Sequence, residues 1–187
     1  MPPIRPQPAA ERRLPSVLVV CTGNVCRSPF AELLLRDHLP RLEVTSRGVF
    51  ALEGRGVEAQ MAGELAARGI SPHGFRARQV EAADLEADLI LTMSRRQRTH
   101  LLEEFPAAAR KIGHFGHIPE LAAASAENPS APLPEVVAAW TRRPVPPDRD
   151  VPDPYGKDAA QAAHTASLLT DLVEQLVPVL SRDAGQP

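Results

Sequence analysis

Four consecutive apolar residues, Val17-Leu18-Val19-Val20, three of them β-branched, run directly into Cys21-Thr22-Gly23-Asn24-Val25-Cys26-Arg27-Ser28-Pro29. A short uninterrupted run of this kind reads as a strand buried on both faces, and such strands occupy the middle of parallel sheets. Behind the loop, Ser28 followed by Pro29 reads as a helix N-cap with proline at the first helical position, and Phe30, Leu33 and Leu34 recur at helical spacing. Strand, tight loop and helix N-terminus therefore follow in direct succession. In parallel α/β sheets ligands gather beyond the carboxyl ends of the strands, so residues 21–28 stand where a binding site is expected.

The rest of the chain repeats the alternation. Residues 42–46, closed by Arg47-Gly48, and residues 89–93 and 111–115 read as further strands. Helical patterns cover residues 57–68, stopped by Gly69, and the stretch capped by Ser94 that carries Leu101, Leu102 and Phe105. A short helix is expected around residues 136–140 and a long one over residues 158–180, with Leu168, Leu169, Leu172, Leu176 and Leu180 on its apolar side. This order predicts an α/β fold with a parallel sheet covered on both faces. Residues 1–15 hold five prolines without apolar periodicity and read as a disordered or extended tail. The expected domain covers residues 16–182, with 121–149 as an inserted loop and helix. The alanine-rich, proline-spaced residues 121–134 read as a surface excursion, and residues 144–154 as a second proline-dense loop.

A chain of 187 residues fits one domain. With 21 Lys and Arg against 23 Asp and Glu, its net charge of −2 gives no electrostatic basis for binding nucleic acid or an anionic membrane. Clusters such as Arg95-Arg96-Arg98 and Arg142-Arg143 read as solvated faces. No stretch approaches the roughly 18 apolar residues of a membrane span, and the N-terminus lacks the apolar core of a secretory signal, so a cytoplasmic location is expected. The chain is expected to be a monomer or a weak homodimer. Two cysteines, both in one loop, are too few for a disulfide scaffold and read as reactive thiols.

A tight loop of backbone amides satisfies the oxygens of a phosphoryl group, because such donors are fixed and need no ionisation. Thr22, Gly23, Asn24, Val25, Cys26 and Arg27 can supply them, and Gly23 and Asn24 tolerate the left-handed dihedrals that a curl requires. Arg27 adds a planar fork able to bind two oxygens at once. Its charge and the helix N-terminus favour the thiolate at Cys21, to which Ser28 can donate a hydrogen bond. Cys21 is thus the candidate nucleophile, and a departing ester oxygen needs an acid on the far side of phosphorus. Asp153, between Pro152 and Pro154, is the candidate, and Tyr155 offers an aromatic wall. Asp150 competes for the acid's role but lacks the proline immediately after it. Cys26 reads either as a small buried hydrophobe or as a redox partner that forms a reversible disulfide with Cys21. His114 and His117 read as loop histidines rather than metal ligands, and Trp140 as a packing anchor.

The run from Cys21 to Pro29 resembles the signature loop of the low-molecular-weight protein tyrosine phosphatases, and Asp153-Pro154-Tyr155 resembles their general-acid loop. The similarity extends through Ser46, Gly48, Ala77-Arg78-Gln79 and residues 87–93. It implies a single three-layer domain in which helices flank a four-stranded parallel sheet, with the phosphate-binding loop after the first strand. It also implies a two-step hydrolysis through phosphocysteine on Cys21, with Asp153 as acid and then base, and no metal or organic cofactor. The implied substrate is a phosphotyrosine protein or a small aryl phosphate, at a mouth lined by Phe50, Leu52 and Tyr155. Arg47 stands where alanine is usual, residues 50–60 lack the family's frequent aspartate-proline step, and residues 121–149 are longer than usual. Val25 resembles the tyrosine-specific members, since the arginine phosphatases of this fold tend to carry threonine there.

Three rivals remain in view. Thiol-dependent arsenate reductases share the fold and a similar loop, but those that resolve internally need cysteines downstream, so only an external thiol would serve here. An arginine phosphatase would use the same site. A phosphate-binding module without turnover would need neither Cys21 nor Asp153.

Overall fold

The computed structural model describes residues 15–182, so the Pro-rich segment read as a tail lies outside the described residues except for Pro15. Four strands, β1 (Val17–Cys21), β2 (Val44–Gly48), β3 (Leu89–Thr92) and β4 (Ile112–His114), pair in parallel in the order β2-β1-β3-β4. The apolar run explains the central place of β1, all of whose residues are buried between two neighbouring strands and two covering layers.

Alternation along the strands sorts the core into those two layers. Val17, Val19 and Cys21, with Val44, Leu89 and Leu91, face α1 (Arg27–His38), α2 (Ala59–Ala67), α4 (Ile118–Glu127), α5 (Leu133–Trp140) and α6 (Ala159–Ser181). Leu18, Val20, Ile90 and Ile112 face α3 (Arg95–Glu104) and the short 3-10 turns that flank it. The long helix α6 is capped by Asp158, which accepts from Gln161 N at 2.9 Å, and lays Ala166, Leu169, Val173 and Leu176 across the first layer. The result is a three-layer α/β fold. Because β1 has β2 on one edge and β3 on the other, the sheet switches direction there and opens a crevice at Cys21.

Two elements differ from the sequence reading. Strand β2 lies two residues later than residues 42–46, because Gly48 pairs with Cys21 and bridges to Gln79. A Cβ at Gly48 would stand 2.5 Å from the Thr22 carbonyl oxygen, so only glycine lets β2 pass this close to the loop. The larger difference is residues 121–134, which are not a surface excursion. They begin inside α4, with Leu121, Ala124 and Ser125 buried at helical spacing, and end inside α5. The prolines misled because Pro134 sits in the first turn of α5, where the missing N–H costs nothing, and Pro129 stands just beyond the end of α4. Trp140 is a packing anchor: its indole N–H donates to His117 O at 3.0 Å and its ring lies against Gly113.

Leu121→Ala distinguishes a core position from a surface one. Removal of this fully buried side chain is expected to lower the unfolding free energy by about 2–5 kcal/mol, against under ~0.5 kcal/mol for an exposed loop residue. Urea denaturation of the two proteins measures the difference.

Candidate active site

The loop after β1 turns its carbonyls outward. Cys21 O accepts from Val49 N at 3.0 Å, Thr22 O from Phe50 N at 3.0 Å, Gly23 O from Leu52 N at 2.9 Å, and Val25 O from Glu58 N at 2.8 Å. In a planar trans peptide the next N–H points the opposite way, so the amides of Thr22, Gly23, Asn24 and Cys26 turn into the curl. The Asn24 amide lies 3.2 Å from Cys21 Sγ, and Ser28 Oγ donates to the same sulfur at 3.0 Å. Ser28 is therefore not the helix cap that its place before proline predicts. Helix α1 starts earlier, with Cys26 at the cap and no side-chain bond there, and the Ser28 hydroxyl is committed to the sulfur.

Asn24 holds the curl in place. It is the only non-glycine at positive φ (54°) among the described residues, and it is fully buried. Its Nδ2 donates to Ser28 Oγ at 2.9 Å and Ser46 Oγ at 2.8 Å, while its Oδ1 accepts from Arg78 N at 2.9 Å. Each serine oxygen thus receives a hydrogen from Asn24, which leaves its own to be passed on. Ser28 sends it to Cys21 Sγ, and Ser46 sends it to Glu32 Oε2 at 2.5 Å. Glu32 is buried, and burial pushes its carboxyl up against the opposing pull of the Ser46 hydrogen bond, Arg36 and Arg47. On the other side of the loop, Gln97 Nε2 donates to Thr22 Oγ1 at 3.0 Å. Its Oε1 accepts from Met93 N and Ser94 N at the start of α3, where Ser94 makes the expected cap.

Arg27 and Asp153 meet over the loop although they lie 126 positions apart. Arg27 Nη2 is 2.6 Å from Asp153 Oδ2, and Nη1 donates to Val151 O at 3.1 Å. Arg27 is buried, and its Nε has no hydrogen-bond partner. The segment carrying Asp153 is pinned further by Val151 N to Met93 O at 2.9 Å and by Asp150. Asp150 Oδ1 accepts from Arg95 N at 2.9 Å and lies 2.9 Å from His114 Nε2. Gly116 N donates to His114 Nδ1 at 3.1 Å, so the proton of a neutral ring sits on Nε2 and points at Asp150. Burial, foremost, pulls the His114 pKa down, with Asp150 opposing. His114 closes β4 and His117 follows in a 3-10 turn, both buried rather than on a loop, and Asp150 fastens the segment that carries Asp153.

These residues enclose a cleft of about 180 Å³ lined by Cys21, Thr22, Gly23, Val25, Cys26, Arg27, Phe50, Leu52, Asp153 and Tyr155. The three wall residues expected from the sequence are all present, with Phe50 63% and Tyr155 47% exposed at the rim. Both cysteines are free thiols. Burial, then the charges of Cys21, Glu58 and Asp153, push the Cys26 thiol up to about 12. Sequence reasoning missed Glu32, Gln97 and the His114–Asp150 pair. Two signals were there: a charged residue inside the apolar pattern of α1, and the Ser94-x-x-Gln97 spacing of a capping box.

Fold and cleft together define an α/β protein with an anion-receiving loop at its topological switch point. The family model of the low molecular weight phosphotyrosine protein phosphatases matches residues 16–132, and the chain belongs to that family of hydrolases. It is 36% identical over 174 residues to the low molecular weight protein-tyrosine-phosphatase Wzb of Salmonella typhi, an alignment covering 91% of this chain and 97% of the relative. The corresponding phosphatase Ptp of Acinetobacter johnsonii is 31% identical, with 84% and 92% covered. Among solved structures, the Erwinia amylovora tyrosine phosphatase AmsI superposes with a TM-score of 0.71 at 25% identity, covering 90% of this chain and 94% of that one. The YwlE arginine phosphatase of Geobacillus stearothermophilus gives 0.66 at 27%, with 87% and 90% covered. No helix among the described residues is long and apolar enough to cross a membrane.

The raised Glu32 carboxyl sets a pH dependence with a definite sign. The folded state holds that proton to higher pH than the unfolded chain does, so this group's stabilisation is full below the ordinary carboxylate pKa and is lost as pH rises through the raised value. Glu32→Gln retains an acceptor for Ser46 and removes the titration. Its unfolding free energy is expected to fall less than that of the wild type between about pH 4 and about pH 8. Parallel slopes in urea melts across that range would refute this.

Proposed function

We propose that the chain hydrolyses phosphotyrosine in proteins or small aryl phosphates, in the cytoplasm, through a phosphocysteine on Cys21. The observation that carries the proposal is the convergence on one cleft of the Cys21 sulfur, held by two donors, with Arg27 and Asp153 facing it. The inward amides of Thr22, Gly23 and Cys26 and the unpartnered Nε of Arg27 receive the phosphoryl oxygens. The arriving dianion replaces Asp153 as partner of Arg27. Cys21 Sγ then attacks phosphorus; the S–P bond forms as the P–O ester bond breaks, and Asp153 gives its proton to the leaving oxygen. In the second step Asp153 takes a proton from water, whose oxygen attacks phosphorus, and the S–P bond breaks to release inorganic phosphate and the thiolate.

Leu52, Phe50 and Tyr155 make an apolar mouth suited to an aromatic ring, which favours an aryl ester. The likeness to an arginine phosphatase supports a second reading, in which the same cleft takes phosphoarginine. Burial, foremost, disfavours the Cys26 thiolate, and Cys26 packs the wall of the cleft as a free thiol. A nucleophilic thiol needs reducing surroundings, which the cytoplasm supplies.

Phosphate release from a phosphotyrosine peptide, under reducing conditions, is expected to vanish in Cys21→Ser and to fall in kcat by about 10²–10⁴-fold in Asp153→Ala. Turnover of phosphoarginine but not phosphotyrosine by the wild type would replace the first reading with the second. Full activity in Cys21→Ser would refute the covalent mechanism.

A further inference from the structure

A second cleft, of about 520 Å³ against about 180 Å³ for the first, opens directly beside the catalytic one and shares Thr22 and Phe50 with it. Its far wall is one face of α3, where Arg96, Thr99, His100 and Glu103 follow at the i, i+3, i+4, i+7 spacing of a single helical stripe. Phe50 stands on the ridge between the clefts and packs against His100, with ring centroids 5.3 Å apart. Arg96, in the first turn of α3, makes no hydrogen bond or ion pair among the described residues, in contrast to Arg27, Arg47 and Arg98, which are all engaged. Helix α3 is tied rigidly to the loop by the Gln97 to Thr22 bond, so the stripe has a fixed offset from the phosphoryl position.

We infer that this cleft is a subsite for the peptide flanking the phosphorylated residue, with Arg96 selecting an acidic side chain there. The inference rests on the phosphotyrosine reading and names what that site reads beyond the phosphorylated ring. An extended chain advances about 3.3 Å per residue, so a cleft that begins at Phe50 receives side chains within about three positions of the phosphotyrosine. The stripe carries a cation, Arg96, in the first turn of α3 and an anion, Glu103, two turns along the helix. An acidic flanking residue is therefore favoured where it meets Arg96 and disfavoured where it meets Glu103. A small aryl phosphate fills only the first cleft.

The test compares kcat/KM on phosphotyrosine peptides that differ only in one flanking residue, glutamate or glutamine, at each of about three positions on either side. Wild type, Arg96→Ala and Arg96→Glu are assayed, and each variant's turnover of 4-nitrophenyl phosphate normalises for the fraction of intact sites. At one near position the wild type is expected to prefer glutamate about two- to five-fold, through KM rather than kcat, and less so at high salt. Arg96→Ala is expected to abolish the preference and Arg96→Glu to invert it. Peptide turnover without any flank preference, or a preference that persists in Arg96→Glu, overturns the subsite and leaves the phosphotyrosine reading intact. No turnover of any peptide by a wild type that hydrolyses 4-nitrophenyl phosphate overturns both.

Discussion

The left-handed turn at Asn24 is the constraint on which the cleft depends. A chain leaving a buried strand in ordinary dihedrals would carry its carbonyls alternately inward and outward, and an inward carbonyl repels an anion. Positive φ at one residue lets the curl close with the Cys21, Thr22, Gly23 and Val25 carbonyls all outside. Asparagine pays for that conformation with three side-chain hydrogen bonds that glycine could not make. The same bonds orient both serine hydroxyls, so backbone geometry and the polarity of the sulfur's surroundings are set by one side chain.

A second dependence runs between the ends of the chain. The residue facing Cys21 from across the cleft arrives on a loop after β4, α4 and α5, where Pro152 and Pro154 restrict the backbone and Tyr155 N donates to Asp153 Oδ1 at 3.2 Å. Its position is also fixed from outside: by Arg27, by the Met93 carbonyl at the end of β3, by the Arg95 amide at the start of α3 and by His114 at the end of β4. Three strand ends thus converge on one loop, which is how the parallel sheet serves the site. Gly116 N donates to His114 Nδ1, which leaves the Nε2 proton to point at Asp150, and burial lowers the pKa of the ring.

Local patterns were legible where one residue type answered to one force. The run in β1, the Gly69 stop of α2, the Ser94 cap of α3 and the extent of α6 all read correctly from the sequence, because each is decided within a few neighbours. Residues 121–134 did not, since their burial is decided by α6, about fifty positions later, which covers an otherwise weak alanine-rich face. Ser28 shows the same limit at the site. Its place before proline signals a cap, yet the hydroxyl serves a sulfur seven positions earlier, and local statistics carry no trace of that partner.

Glu32 illustrates why the supporting shell is harder to read than the cleft. A carboxyl inside the apolar pattern of α1 looks like an error in amphipathicity, and burial does penalise its charge. Its use lies in accepting the hydrogen that Ser46 must dispose of once Asn24 has donated to it. Without an acceptor there, the Ser46 hydroxyl would be buried with an unmet donor, since the Asn24 Nδ2 that faces it can only donate. The chain of donors therefore has to end on an acceptor oxygen, which Glu32 Oε2 supplies while Arg36 stands 2.9 Å from Oε1. The cost of burying an acid some distance from the cleft is thereby linked to the direction of the hydrogen bond that reaches the Cys21 sulfur.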